Sequence, residues 1–245
     1  MEKVINRLMI VTLAAAILFG AAAYHFRNAE HDSVFREELS FPMSEYIDID
    51  LLKLPVTVIP YDKDKISVSY ASDLPLVFST GDNLLKITES EEFVISLFTG
   101  SSKEFGLNLY LPKTLFRDIS IHTGTGSVKV GRVDCYNLSV ITNSGDILCE
   151  NLLSRGRFTT TSGNIFVNYD EIVTEIEIFS RRGSVDLVFP KKSSVSVEFE
   201  TRSGTCSTDM WGGSVTGSHV YSFNGGKNVI KATLEEGTLT IKEKG

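Results

Sequence analysis

The sequence is poor in helix-forming residues and contains no extended basic segment. Glutamine is absent, and of the nine alanines only Ala71 and Ala232 lie beyond residue 29. The chain carries 24 Lys and Arg against 31 Asp and Glu, and no more than two basic residues are adjacent. Nucleic acids and anionic membrane surfaces select basic patches, so neither a nucleic acid nor such a surface is expected as the main partner. The abundance of Val, Ile, Thr, Phe and Ser predicts an all-β body.

Cysteine is scarce as well, with three residues in 245. An odd and small count excludes a disulfide framework and leaves at least one free thiol. Cys149 and Cys206 stand at positions that hold Val or Ile elsewhere in the repeat described below, which predicts small buried apolar side chains.

One uncharged segment, Leu8 to Tyr24, follows Lys3 and Arg7 and predicts membrane insertion. Two alternatives remain open: residues 1–24 are either a single transmembrane anchor or a signal segment cleaved near Ala23. Positive charge before the segment predicts a cytoplasmic N-terminus and an extracytoplasmic body, which would be secreted if cleavage occurred. The charged residues 25–45 are expected to form a stalk or linker, followed by a β-repeat ectodomain over residues 46–245.

The body contains an internal repeat of about nineteen residues, in which a glycine follows hydroxyl residues and precedes alternating apolar residues. This period is typical of one coil of a β-solenoid or β-prism, with regular repeats over about residues 107–210. Each glycine is expected at a turn between two short strands, where the absence of Cβ and access to positive φ are useful. The six turn glycines are Gly126, Gly145, Gly163, Gly183, Gly204 and Gly237.

Strand alternation assigns a side to each repeat position. Residues two and four after the glycine, such as Ile147 and Cys149, are expected to form the inward stack. Residues one and three before it, such as Ser144 and Thr142, are expected to form a ladder of hydroxyl groups. Two interpretations remain open: the hydroxyl groups order water at the surface, or they form hydrogen bonds with the backbone. The alternating segments upstream of residue 107 are expected to form a looser antiparallel layer that caps the solenoid, and further coils are the alternative.

The repeated [ST]-x-[ST]-G-x-[IV]-x-[VL] unit at four of these glycines, and the apolar-Pro-Lys strand ends at Pro112 and Pro190, resemble a known family. It is the DUF4097 type of bacterial envelope proteins with a β-strand repeat, described as adhesin-like. The resemblance covers about residues 45–245 and implies a β-solenoid or β-prism ectodomain at the cell surface. It supplies no catalytic residues.

The sequence predicts no catalytic residue, no metal site and no cofactor. His122 is expected to be a solvated surface residue, and Asp62 with Asp64 allows only weak divalent binding. A glycan-cleaving β-helix enzyme would need two facing carboxylates. Asp146 and Asp186 are the only acids in the two outward columns that follow the glycines, and they lie two coils apart.

The resulting hypothesis is a non-enzymatic, membrane-tethered interaction module whose partner is wall glycan or an envelope protein. Exposed aromatic residues would sharpen it, and Trp211 and Tyr221 are the candidate binding residues. The alternative for both is packing over the open end of the solenoid. An alternative function is that of an accessory component of an envelope-stress membrane system, recognised through the N-terminal helix.

Overall fold

The computed structural model describes residues 36–71, 74, 76–90, 106–172, 175–208 and 213–244. Over these ranges the protein is all-β and solenoid-like, with no α-helix. None of the described segments has the length and apolarity of a membrane-crossing helix. The expected anchor, residues 8–24, and Trp211 lie outside the described residues.

The strands are β1 (Arg36–Phe41), β2 (Tyr46–Leu51), β3 (Val56–Tyr61), β4 (Ile66–Ala71), β5 (Leu76–Gly81), β6 (Leu84–Glu89), β7 (Leu107–Pro112), β8 (Phe116–Thr123), β9 (Val128–Val130), β10 (Cys135–Thr142), β11 (Ile147–Leu152), β12 (Arg155–Thr160), β13 (Ile165–Tyr169), β14 (Ile176–Arg182), β15 (Val185–Phe189), β16 (Val195–Thr208), β17 (Gly213–Thr216), β18 (His219–Phe223) and β19 (Asn228–Glu243).

The strands form two rows in which neighbours are parallel. Row A runs in the order β6, β2, β8, β10, β12, β14, β19 and β16. Row B runs in the order β7, β3, β9, β11, β13, β15, β19 and β16. The long strands β19 and β16 pass from one row into the other, whereas the other coils break at the corner between the rows.

The order of the coils differs from the order of the chain at both ends. The β2–β3 coil is enclosed between β6–β7 and β8–β9, and β19 is inserted between the β14–β15 coil and β16. The eight parallel layers therefore exceed the six coils counted from the glycines. The β2–β3 coil and β19 are thereby enclosed between other coils, so neither leaves an open sheet edge.

The prediction of an antiparallel layer upstream of residue 107 is wrong for most of the strands in that region. The strands β2, β3, β6 and β7 are full members of the parallel rows, because their apolar residues continue the same inward columns. Antiparallel pairing is confined to the ends, where β5 pairs with β6, β4 with β7, β18 with β16, and β17 with β16.

Strand β1 lies within residues 25–45, the range expected to be a stalk. After its charged residues the strand has a short alternation of apolar and polar side chains. Leu39 and Phe41 pack against the core, and Ser40 between them is exposed. Phe41 stacks on Phe78 with 5.4 Å between the ring centroids, and β1 pairs with β4.

The core is the space between the two rows, and it is filled by columns of inward side chains in register. One column of row B consists of Leu107, Val56, Val128, Ile147, Ile165, Val185, Leu239 and Cys206. All eight are buried, as the inward stack predicts. Burial at about 25 cal/mol per Å² makes these columns the main stabilising element of the fold.

Candidate functional site

The corner between the rows, here called the glycine corner, is a column of stacked glycines. In spatial order it contains Gly126, Gly145, Gly163, Gly183, Gly237 and Gly204. A Cβ added at Gly145 would collide with the carbonyl oxygen of Gly126, and one added at Gly163 would collide with that of Gly145. Close approach of neighbouring backbones is therefore the common reason for glycine. The expected positive φ is observed only at Gly183 (137°) and Gly237 (128°).

Three of the hydroxyl groups that lie three residues before the glycines face inward and form hydrogen bonds with the backbone of this corner. Thr123 donates to the Gly126 carbonyl at 2.6 Å, and Thr142 donates to the Gly145 carbonyl at 2.7 Å. The Gly163 amide in turn donates to Thr160 Oγ1 at 2.9 Å. These threonines are buried, so their hydroxyl groups are not a water-ordering surface.

The acids considered for glycan cleavage do not face each other. Asp146 lies at the glycine corner, where its Oδ1 accepts the Asn164 amide at 2.7 Å. Asp186 lies within β15 and faces Lys242, with 3.6 Å between Oδ1 and Nζ. The two carboxylates thus occupy different columns, and each has a partner in the neighbouring coil.

The remaining polar candidates also have local partners. Asp62 pairs with Lys113 at 2.8 Å beside a shallow 440 Å³ depression, and no metal-binding group of three ligands occurs among the described residues. His122 is on the surface, where its Nδ1 lies 3.1 Å from Asp50 Oδ1.

The three thiols are buried and unpaired with one another. Burial raises the pKa of Cys135 to about 12, an effect that the nearby Ser154 hydroxyl partly opposes. Burial likewise raises the pKa of Cys206 to about 11 and that of Cys149 further. Thiols in this state are poor nucleophiles because the thiolate is disfavoured.

Tyr221, one of the two candidate binding residues, lies on β18 at the end of row A. Its side chain packs against the core, and its ring lies 5.4 Å from that of His219 between centroids. This position favours the alternative of packing over the end of the solenoid. Trp211 is outside the described residues.

A different cluster stands out on the surface of row A, at the strand ends opposite the glycine corner. In three neighbouring strands the alternation breaks, and two consecutive side chains point outward between two buried ones. We call this cluster the tyrosine platform. Its residues are Glu45, Tyr46, Arg117, Asp118, Tyr136 and Asn137.

The tyrosine platform is held together by polar contacts between the coils. Arg117 Nε donates to Glu45 at 2.7 Å, and Asn137 Nδ2 donates to Asp118 Oδ1 at 2.6 Å. The hydrogen bond and charge of Glu45 raise the pKa of Arg117, and the phenol groups of Tyr46 and Tyr136 act on it in the same direction. The two tyrosines lie on β2 and β10, the strands on either side of the β8 strand that carries Arg117.

The backbone beneath the platform is fixed. The amides of Glu45 and Tyr46 donate to the side chain and carbonyl of Asn83, whose left-handed conformation (φ 64°) closes the β5–β6 hairpin. The amide of Arg117 donates to the Glu45 carbonyl at 2.9 Å. The exposed rings consequently project from a rigid surface, with Tyr136 58% and Tyr46 37% exposed.

A shallow groove of about 320 Å³ continues from the platform across row A. Asn137 belongs to both, and Arg155 lies beside it in register on the next strand. Arg157 pairs with Glu177 at 2.7 Å across the groove. The lining residues are Asn137, Leu138, Ser139, Arg155, Gly156, Arg157, Glu175 and Glu177.

Sequence reasoning missed this cluster because its residues do not repeat. The outward positions of the three strands hold Tyr46, Asp118 and Asn137, three different side chains. The available signal was the spacing of apolar residues: Phe116 to Ile119 and Cys135 to Leu138 are three apart, which interrupts the period of two expected of a strand.

Comparison with known proteins matches this chain to one family model and to several solved structures. The family model described as Toastrack DUF4097 matches twice, over residues 44–152 and 115–242. No curated protein matches the sequence. A solved structure of a "putative cell adhesion protein" from Clostridium sporogenes is 16% identical, with 86% of this chain and 99% of that chain covered and a TM-score of 0.44. A "putative adhesin" from Bacteroides fragilis is 13% identical, with coverages of 86% and 98% and a TM-score of 0.37. A "putative lipid binding protein" from Parabacteroides distasonis is 12% identical, with coverages of 86% and 97% and a TM-score of 0.38.

Proposed function

The chain belongs to the DUF4097 (Toastrack) family, and on that premise we propose that it is a membrane-tethered, extracytoplasmic interaction module of the cell envelope. The uncharged segment Leu8 to Tyr24 tethers it, and the β-repeat body presents an adhesin-like surface outside the membrane. The tyrosine platform is the observation that carries this proposal, because it groups two exposed aromatic rings with four polar side chains on a rigid backbone. Rigid, exposed aromatic side chains are favoured at binding surfaces, since little conformational entropy is lost on binding.

The proposal includes a non-enzymatic role. The side chains that could act as a catalytic acid or nucleophile have structural roles. Asp146 accepts a hydrogen bond from a backbone amide, and Cys135 and Cys149 are buried thiols with raised pKa values. The polar surface of the platform and its groove, by contrast, is available for contacts with a partner.

The test of the proposal is sedimentation of the full chain, in a mild detergent, with cell envelopes isolated from the source organism. We expect saturable binding that requires a folded body. Absence of binding would contradict the proposal and would favour recognition of a membrane partner through the N-terminal segment. Exchange of residues 8–24 for an unrelated helix should leave envelope binding intact, whereas loss of binding would favour the accessory role.

Membrane tethering is tested separately by two experiments. One is fractionation of cells, and the other is protease treatment of cells whose outer layers have been removed while the cytoplasmic membrane stays intact. The chain should sediment with membranes, and external protease should remove the body. A chain recovered only from the medium would contradict tethering and support cleavage after the N-terminal segment.

A further inference from the structure

The tyrosine platform and its groove combine features that suit a sugar ring. Tyr46 and Tyr136 lie on strands two positions apart in row A, which separates their backbones by roughly 10 Å. A glycan that contacts both side chains must therefore extend along the surface over more than one sugar unit. The backbone of Tyr46 is held by strand pairing and by its hydrogen bond to the Asn83 carbonyl.

The polar groups between and beside the rings supply both donors and acceptors. Asn137 stands in register between Asp118 on one neighbouring strand and Arg155 on the other. A carboxylate, an amide and a guanidinium group in a line can accept from and donate to neighbouring hydroxyl groups of one sugar. Asn137 already donates to Asp118 at 2.6 Å, which fixes the orientation of the pair before a ligand arrives.

The formal charges of the ionisable side chains around the site cancel. Four carboxylates, those of Glu45, Asp118, Glu175 and Glu177, are balanced by the guanidinium groups of Arg117, Arg155 and Arg157 and by Lys231, which lies 2.6 Å from Glu175. A surface with balanced charge does not concentrate an anionic or cationic polymer, so a neutral ligand fits best. The groove is shallow and open, which suits a chain passing along the surface rather than an enclosed small molecule.

We infer that the tyrosine platform and its groove form a binding site for a neutral glycan chain. Tyr46 and Tyr136 stack on two sugar rings of the chain, Asp118 and Asn137 bind hydroxyl groups, and Arg155 donates to the sugar that enters the groove. This inference rests on the proposed function and names the ligand class of the interaction module.

The test is co-sedimentation of the full chain in detergent with chitin, cellulose and sacculi stripped of protein and anionic polymers, and with polygalacturonate beads as the acidic probe. Binding to at least one neutral polymer should be saturable, independent of ionic strength and competed by its free oligosaccharide. The double variant Tyr46→Ala/Tyr136→Ala should weaken this binding at least about tenfold. Tyr46→Phe/Tyr136→Phe keeps both rings and should retain most of it.

Val220→Ala is the matched control, because Val220 is 66% exposed at the far end of row A. It should bind as the wild-type chain does. Equal binding by the wild-type chain and the double alanine variant would overturn the inference. So would binding to the acidic beads alone with loss at high ionic strength, or binding to envelopes without binding to any neutral polymer. In that last case the proposed function stands, whereas a chain that binds neither envelopes nor polymers contradicts both.

Discussion

The two ends of the row A strands differ in what their side chains do. At the glycine corner, neighbouring coils approach so closely that Gly145 has no room for a Cβ, and the Thr142 hydroxyl serves the backbone. At the tyrosine platform, the same coils turn consecutive side chains outward in pairs, as at Tyr136 and Asn137. In these strands one end therefore fixes the stacking of the coils, and the other end presents pairs of outward side chains at the surface.

The largest effect is expected at the glycine corner. Gly145→Ala places a Cβ against the Gly126 carbonyl, which the buried column cannot avoid, and should reduce the free energy of unfolding by about 3 kcal/mol. Denaturant unfolding measures this change. Gly81→Ala is the control, since nothing lies within 4 Å of its added Cβ and its effect should stay within about 0.5 kcal/mol. Similar losses in both variants would contradict the role assigned to close backbone approach.

A second prediction concerns the buried thiol of Cys149, which lies in the core, and its effect on stability at high pH. Burial raises the pKa of Cys149 above its ordinary value of 9.0. The unfolded chain therefore loses this proton first as the pH rises, and the folded state becomes relatively less stable. Above pH 9 the thiol should lower the free energy of unfolding by about 1.4 kcal/mol per pH unit until the folded pKa is reached.

Cys149→Val isolates this contribution, because Val130 and Val167 occupy the same column in the adjacent coils. Unfolding measured from pH 8 to pH 11 should fall less steeply in the variant than in the wild-type chain. Parallel pH profiles for the two proteins would show that the thiol at position 149 is not desolvated.

A smaller loss is expected when the hydroxyl ladder is interrupted. Thr142→Val keeps the shape of the side chain but leaves the buried Gly145 carbonyl without its 2.7 Å donor, at a cost of about 1–3 kcal/mol. The exposed Thr125, one residue before Gly126, gives the matched control Thr125→Val, which should change stability by less than about 0.5 kcal/mol. If Thr125→Val reduced the free energy of unfolding as much as Thr142→Val does, burial of the hydroxyl group would not explain its contribution to stability.

The smallest effect on stability is expected at the tyrosine platform. Tyr136→Ala removes a side chain that is 58% exposed and should change the free energy of unfolding by less than about 0.5 kcal/mol. Thermal unfolding of the variant beside Thr142→Val makes the comparison direct. A loss at Tyr136 as large as that at Thr142 would mean that both strand ends stabilise the fold.

The glycine corner was predictable from the sequence because stacking imposes the same residue on every coil. The inward columns were predictable for the same reason, since Ile147 and Val185 obey one alternation. The order of the coils was not: Gly237 lies between Gly183 and Gly204, a placement set by pairing of β19 with distant strands rather than by local pattern. The platform escaped prediction because surface positions such as Tyr46 and Tyr136 face solvent and carry no repeated constraint.

The division between a structural and a binding end of the strands is tested most directly with the double variant Tyr46→Ala/Tyr136→Ala. Its free energy of unfolding and its sedimentation with isolated cell envelopes should be measured beside those of the wild-type chain. We expect unchanged unfolding and at least about a tenfold weaker association. Unchanged association, or a loss of stability that accounts for the weaker association, would contradict the account.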